Sequence, residues 1–510
     1  MSDTCTLPAN VRRYAKYLLV MAGLGGLIYG IDVGVIAAAL PYIRNTSNYT
    51  SIQLGFIVGA VLWGSVLSSL FAGTLAEWFG RKKIIIASAF CFFISIPVIC
   101  LSGLFDGGSF ILLTVGRTLQ GASAGLVGVV VPMYLAECLD SDSRGKGTGM
   151  FQLLLTIGLA FAAVIGLVVT GWVGDSDKVV SAAAEANGVE VAKVTLANIK
   201  EWVAPAQIKG WATAWQIIFL CSAVPGLILF LGAFGLKESP RWLYKRGRKD
   251  EALASLAANN GEAKAKEILD EMIAADKAAE EEKAAVAAAS QGDTLFQRKY
   301  IYPFCLAVVI LACNQTTGIN SVLNYTVDIF KATGMEGVFA NFSDLAIKLV
   351  NVFMTIVACA LVDKKGRKFL LKLGTSGIIL GLSGVATTFL LITKGVVAAS
   401  MTTGVIATVF FFMFIAFYAV GPGVCVWLAL SELMPTRIRA TGMSIAMIIN
   451  QGVSATIATI FPAWKDAWGF PAVFYSLAGF TVVYFVTAAF FLPETKGKTL
   501  EEIEKYFSKK

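Results

Sequence analysis

Twelve apolar runs, each near the length that a helix needs to cross a lipid bilayer, constrain this chain more than any other feature. A spanning helix takes about 20 apolar residues to cover a hydrocarbon core of about 30 Å. Against that length the runs fall at 17–40, 53–75, 84–105, 110–135, 147–172, 212–235, 299–328, 338–362, 369–392, 400–430, 436–462 and 468–492. Of 510 residues 56% are hydrophobic and 15% charged, where a soluble domain has about a quarter charged. A chain this long and apolar cannot bury its surface in one aqueous core, so lipid must be its solvent. The expected fold class is an all-α membrane protein.

Lys and Arg in short loops set the orientation. The basic positions are Arg12, Arg13 and Lys16, then Arg81-Lys82-Lys83, Arg144 with Lys146, Lys364 to Lys368, Arg437 with Arg439, and the Lys-rich carboxyl end. All lie on one side of the twelve runs. The opposite loops carry cations that look isolated: Arg44, Lys331, Lys394 and Lys465. Both termini are therefore expected in the cytoplasm and the chain in the plasma membrane (a cell or inner membrane). The first run is too long for a signal peptide and reads as a retained span. Because the net charge of +8 resides in these loops, it is no sign of nucleic-acid binding.

Nine cysteines sit mostly inside apolar runs and show neither metal spacing nor a disulfide framework. Histidine is absent, and no Ser/His or metal set for catalysis appears, which argues against an enzyme. No cofactor is called for. If a proton is the coupling ion, carboxylates must carry it.

Internal repeats set the architecture. Glu77-x-x-Gly80-Arg81-Lys82 after run two matches Asp363-x-x-Gly366-Arg367-Lys368 after run eight. Glu137 precedes Arg144 by seven positions after run four, as Glu432 precedes Arg439 after run ten. Glu238-Ser239-Pro240-Arg241 after run six pairs with Pro493-Glu494-Thr495-Lys496-Gly497 after run twelve. Charges gather in the loops of any membrane protein, but that does not produce a repeated acid-to-arginine spacing. Six spans is an even number, so the halves share an orientation as parallel repeats. The expected division is a six-helix bundle over 1–236, a cytoplasmic helical linker over 237–298 rich in Ala, Glu and Lys, a second bundle over 299–493 and a cytoplasmic tail over 494–510. The outer loop at about 173–211 is long and polar, and no role follows from its sequence. The N-x-S/T triplets at Asn45, Asn48 and Asn341 are best explained by chance.

The strings Gly80-Arg81-Lys82, Pro132-Met133-Tyr134-Leu135-Ala136-Glu137 through Arg144-Gly145, Glu238-Ser239-Pro240-Arg241, Gln315-Thr316-Thr317-Gly318-Ile319-Asn320, Gly421-Pro422-Gly423 and Pro493-Glu494-Thr495-Lys496-Gly497 occur in order at the matching helix ends. Over nearly its whole length the chain resembles the sugar porter family of the major facilitator superfamily. The resemblance implies the major facilitator fold, twelve transmembrane helices in two six-helix bundles. It also implies alternating access, in which the bundles rock about a central site. Arg81, Glu137 and Arg144 with Asp363, Arg367, Glu432 and Arg439 are then candidate gating residues. Pairs across the seam would hold the inside closed and break for release. The bland alternative for each is a static helix-end cap or a lipid headgroup contact.

A sugar presents hydroxyls that donate and accept, and uncharged amides match them while an aromatic face covers the ring. Amides inside spans are costly unless partnered. The chain has Gln152 in run five, Asn314, Gln315 and Asn320 in run seven, Asn351 in run eight, and Asn450 with Gln451 in run eleven. Trp427 follows Gly421-Pro422-Gly423, where helix irregularity brings backbone near a ligand. In the family, positions matching Gln152, Gln315, Asn320, Asn351, Trp427 and Asn450 contact the sugar. The alternative for any of them is hydrogen bonding between helices. The family usually has a second Gln where Asn314 stands, and a tyrosine pair is common where Asn324 precedes Tyr325. Tyr325 is a candidate outer gate or a packing residue.

Two charges lie inside apolar spans and so point to function. Asp32 in run one and Arg117 in run four are each about 11 Å below the outer surface at 1.5 Å per residue. Beside arginine a buried carboxylate stays ionised; withdrawn from it into a dry site it takes up a proton. Proton-coupled sugar porters resemble this arrangement, with an acid and an arginine at these two positions. Import of a monosaccharide with protons is the reading, by a single chain acting as a monomer in the bilayer. The main rival is a facilitative sugar or polyol uniporter with a permanent Asp32–Arg117 salt bridge. A non-transporting sugar sensor would carry a long signalling tail, and only about seventeen residues follow Pro493. Lys348 shares a helix face with Asp344 and Asn351. It reads as an Asp344–Lys348 pair in a wet outer vestibule, or as a contact for an anionic substrate such as a sugar acid.

Overall fold

The computed structural model describes residues 8–105, 107–139, 141–289, 297–434, 438–494 and 507. The first half places α1 (Ala9–Thr46), α2 (Ser51–Phe79), α3 (Arg81–Ser102), α4 (Phe110–Cys138) and α5 (Ser141–Val173) across the slab. Short helices α6 (Ser176–Ala186) and α7 (Leu196–Trp202) follow, then α8 (Pro205–Ala233) as the sixth span. Helices α9 (Pro240–Lys245), α10 (Lys249–Asn260) and α11 (Glu262–Ala289) connect the halves.

In the second half the seventh span is broken into α12 (Arg298–Thr316) and α13 (Ile319–Ala332). The eighth and ninth spans are α14 (Gly337–Lys365) and α15 (Arg367–Thr393). The tenth is again broken, into α16 (Met401–Val420) and α17 (Pro422–Leu433). The last two spans are limbs of α18 (Arg439–Val486), which reverses at Gly469, where φ is 75° and ψ 165°. Twelve spans in two bundles of six are thus present among the described residues. The first span begins and the last span ends on one face, called here the terminal face; the opposite one is the far face.

Glycine spacing sets how closely the spans approach. In a bilayer small residues let backbones pack where no hydrophobic drive exists. Gly26 and Gly30 of α1 lie one turn apart against α5: a β-carbon at Gly26 would stand 2.2 Å from the Phe151 carbonyl oxygen, and one at Gly30 1.9 Å from that of Leu155. The contact is reciprocal, since Gly158 would meet the Leu27 carbonyl at 2.3 Å. These neighbours are backbone and cannot rotate away. Gly30→Val is therefore expected to cost about 3 kcal/mol, the upper end of ordinary overpacking. Thermal unfolding of the purified protein in detergent checks this, and an unchanged midpoint would refute it.

The helix starts on the terminal face explain one of the repeats. Gly80 (φ 95°) and Gly366 (φ 86°) precede α3 and α15 in the same unusual conformation. Against Gly80 lies the Glu238 carboxylate, which accepts the backbone N–H of Arg81 at 2.8 Å and of Lys82 at 3.1 Å. Against Gly366 lies Glu494, which accepts the Arg367 N–H at 3.2 Å. A carboxylate at a helix N-terminus satisfies orphan donors and favours the dipole. The acid after the last span of each half therefore caps the third span of that half.

Candidate functional site

The seventh span is interrupted where the sequence offers Thr316-Thr317-Gly318. Gly318 takes the left-handed conformation (φ 79°, ψ 13°), and a β-carbon there would meet the Leu477 side chain at 2.6 Å. The break puts Gln315 on the last turn of α12 and Asn320 on the first of α13. The Asn320 amide donates to Gln315 Oε1 at 3.1 Å and to Ser454 Oγ of α18 at 2.7 Å. Asn314 and Asn450 are also buried, each 1% exposed. Neither Asn314 Oδ1 nor either amide atom of Asn450 has a hydrogen-bond partner among the described residues. Buried amides are normally satisfied, so unmet ones mark room for a ligand or water.

Other expected contacts are less enclosed. Gln451, Asn320 and Asn351 are partly exposed and Gln152 is exposed. The tenth span breaks at Gly421 (φ −101°, ψ −93°), where Gly374 of α15 approaches so closely that a β-carbon on it would meet Gly421 Cα at 2.8 Å. Trp427 follows in α17, and its side chain lies outside the described residues, as do those of Arg144, Asp363, Glu432 and Arg439.

Asp32 of α1 and Arg117 of α4 meet in the core of the first half at 0% and 1% exposure. Arg117 Nη1 reaches Asp32 Oδ1 at 3.5 Å and the Asp32 carbonyl at 3.4 Å. Charge-assisted bonds usually run about 2.7–2.9 Å, so this pair is loose. The shortest bond of the guanidinium goes to Gln120 Oε1 at 2.8 Å, and its carbon stands 5.6 Å from the centre of the Phe219 ring. Asp32 Oδ2 has no partner among the described residues. Gln120 was not singled out from the sequence. Its signal was available: an amide inside a span, three residues after an arginine.

Lys348 Nζ donates to Asp344 Oδ2 at 2.7 Å, with both side chains at 0% exposure. The pair expected from their spacing is present, but it is dry. The wet vestibule of the sequence reading is missing because the far face is shut above it.

A family model described as "Sugar (and other) transporter" matches residues 18–507. The chain belongs to this sugar transporter family. It is a multi-pass membrane transporter of the sugar porters in the major facilitator superfamily, and not an enzyme. This sugar porter is 28% identical to a D-xylose transporter of Levilactobacillus brevis, over 96% of this chain and 94% of that one. It is equally similar, at 28%, to the arabinose-proton symporter of Bacillus subtilis, again over 96% and 94%. With the glucose transporter GlcP of Staphylococcus epidermidis it shares 30% identity over 96% of each. The inward open conformation of the xylose transporter XylE from E. coli superimposes with a TM-score of 0.74 at 22% identity, covering 97% of this chain and all of that one.

On the terminal face of the porter, Arg81 bonds within its own half. It reaches Glu137 at 2.9 Å and Glu77 at 2.7 Å, and its Nη1 donates to the Ala76 carbonyl at 3.0 Å. Ser239 Oγ donates to the same Glu137 at 2.5 Å. Arg367 stands at the equivalent start of α15. Tyr325 donates to the Ala458 carbonyl at 3.0 Å and stacks on Phe461 with ring centres 4.8 Å apart, so it packs α13 against α18 inside the second half.

Proposed function

We propose that the protein imports a monosaccharide together with protons by alternating access. The observation that carries the coupling is Asp32: a carboxylate at zero exposure in the first span, loosely faced by Arg117, with one oxygen unpartnered. A charge at that depth is expensive and defaults to function. A permanent structural salt bridge would close to a short bond and satisfy both oxygens; this one does neither.

The sugar site is the layer of amides around the break of the seventh span. Gln315, Asn320, Asn314, Asn450 and Gln451 supply neutral donors and acceptors, and Gln152, Asn351 and Trp427 are proposed as further sugar contacts from their sequence positions. The arabinose-proton symporter among the relatives supports proton coupling, and the xylose and glucose transporters support a pentose or hexose. The myo-inositol transporter IolT of Bacillus subtilis, 27% identical, keeps a polyol as the rival cargo. The terminal face is cytoplasmic under this reading, the membrane is the plasma membrane, and residues 237–298 join two bundles that rock as one monomer. Arg81, Glu137, Arg144, Asp363, Arg367, Glu432 and Arg439 then pair across the seam when the cytoplasmic side closes, while Tyr325 moves with α13 on the outside.

Uptake into proteoliposomes tests this, with a panel of pentoses, hexoses and polyols, with and without acid outside. Accumulation of one monosaccharide only under the pH gradient is expected. Uptake indifferent to the gradient would leave a uniporter. Within the site, Gln315→Ala removes the acceptor of one Asn320 bond together with a direct sugar contact. Losing such a bond costs about 1–3 kcal/mol, so a rise in sugar Kd of about tenfold or more is expected, read by isothermal calorimetry. An unchanged Kd would remove Gln315 from the site.

A further inference from the structure

The far face is held shut by charges that the sequence scatters over its length. Arg44, at the far end of α1, bonds Asp177 at 3.0 Å and Asp328 of α13 at 3.2 Å. Lys331, at the far end of α13, bonds Asp175 at 2.5 Å and Asp177 at 2.9 Å. The other oxygen of Asp175 accepts the N–H of Gly337, which opens α14, at 2.7 Å. Asn45 donates to Asp177 at 2.6 Å from within the first half, and Lys178 reaches Glu336 at 2.8 Å. One layer deeper Asn341 of α14 donates to Thr170 of α5 at 3.3 Å, and Tyr42 donates to the Gly174 carbonyl at 2.8 Å.

We infer that the segment 174–203 is the latch of the far-side gate, with Asp175 and Asp177 as its bolts and Lys331 and Arg44 as the residues they catch. The far ends of the two halves cannot part without breaking Arg44–Asp328, both bonds of Lys331 and the Gly337 N–H bond. The bolts are held rigidly, which is what the length of the segment provides. Val180 of α6, Ile199 of α7 and Val203 are buried in the core cluster that includes Trp211 and Ala214 of α8. A bare turn would leave the two aspartates free to follow the second half as it moved away.

The latch tolerates mild acid. Burial alone would raise the Asp177 carboxyl, but Arg44 and then Lys331 outweigh it and hold it below the ordinary range. A depressed carboxyl contributes its full stability above the unfolded value and loses it progressively as the pH falls from there through the folded one. The closed state therefore keeps the whole of this contribution down to the ordinary carboxylate value and sheds it below. Partly buried, multiply bonded charges hold a gate, yet remain separable in water once the halves begin to part.

The inference rests on the alternating-access reading, but its test does not depend on the cargo. Thr170 is 2% exposed behind the cluster, so Thr170→Cys in the full chain reports opening. Modification of residue 170 by a charged, impermeant maleimide is followed by peptide mass spectrometry on the purified protein. Lys331→Glu should raise its rate roughly tenfold or more, a typical coupling between sites, whereas Lys331→Arg should keep the parent rate. A Lys331→Glu protein that melts cooperatively and labels no faster than the parent overturns the latch. If that variant does not melt cooperatively, Asp177→Asn takes its place with the same two outcomes. Faster labelling in a chain that moves no sugar would uphold the latch and sink the transport reading; normal uptake with unaltered labelling would do the reverse.

Discussion

Asp32→Asn is expected to abolish uphill uptake while leaving sugar exchange across the same vesicles intact. The substitution keeps the shape of the side chain and its capacity to accept from Arg117, and removes only the ability to bind and release a proton. Arg117 does not collapse as a result, because Gln120 at 2.8 Å and the Phe219 face already support it. One elementary charge moving down 100 mV supplies about 2.3 kcal/mol, enough for more than tenfold accumulation. In the parent protein that accumulation should appear under an imposed gradient and vanish when a protonophore collapses it. In the variant the sugar should only equilibrate, at any pH. Should the variant still concentrate sugar, the coupling carboxylate lies elsewhere, and Asp344 becomes the group to examine. Loss of exchange along with accumulation would mean that Asp32 serves sugar binding or packing instead.

What the sequence revealed, and what it hid, divides by the range of the interaction. Spans were legible because hydrophobicity accumulates over twenty neighbouring residues, and Gly421-Pro422-Gly423 marked the break in the tenth, whereas the seventh read as one continuous run and its break at Gly318 emerged only in the fold. Span ends were not legible. The first helix runs from Ala9 to Thr46 where apolar content marks only 17–40, since a helix continues past the lipid under its own hydrogen bonding. Asp32 and Arg117 could be matched by depth, because helical rise fixes depth from sequence alone. The outer loop had no readable role because its partners are remote: Lys331 lies 156 positions from Asp175. Arg44 and Lys331, which look isolated among the outer loops, are paired in the fold, and only the tertiary arrangement supplies their acids, whereas Lys465 pairs with Asp466, its own neighbour in the chain. Asn45 and Asn341, 6% and 2% exposed, are likewise engaged in hydrogen bonds rather than available for modification. Lys348 shows the same limit from the opposite direction. Its partner Asp344 was one turn away and therefore predictable, whereas its dryness depends on closure of the whole far face.

Closure of that face also requires two helices from different halves to touch backbone to backbone, and this gives the second large effect. A β-carbon at Gly55 of α2 would stand 2.0 Å from the Thr459 carbonyl oxygen of α18. One turn on, Gly59 would meet Thr459 Oγ1 at 2.0 Å, and Trp63 Nε1 donates to that hydroxyl at 3.3 Å. The hydroxyl at Gly59 can swing aside; the carbonyl at Gly55 cannot. Gly55→Trp inserts an indole where no side chain fits, and the halves must then stay apart at the far end. Driving a two-state equilibrium from 1:99 to 99:1 takes about 5.5 kcal/mol; ordinary overpacking costs about 1–3 kcal/mol, and an indole with no space against fixed backbone must cost more than that ordinary range. The variant should therefore bind sugar when purified yet fail in both net uptake and exchange, since the far side can no longer seal. Gly73→Trp on the same helix is the control, because a β-carbon there meets nothing within 4 Å, and it should transport as the parent does. If Gly55→Trp carries sugar at the parent rate, the close approach of α2 and α18 is no part of the working cycle, and the far-face closure seen here is not a state through which transport passes.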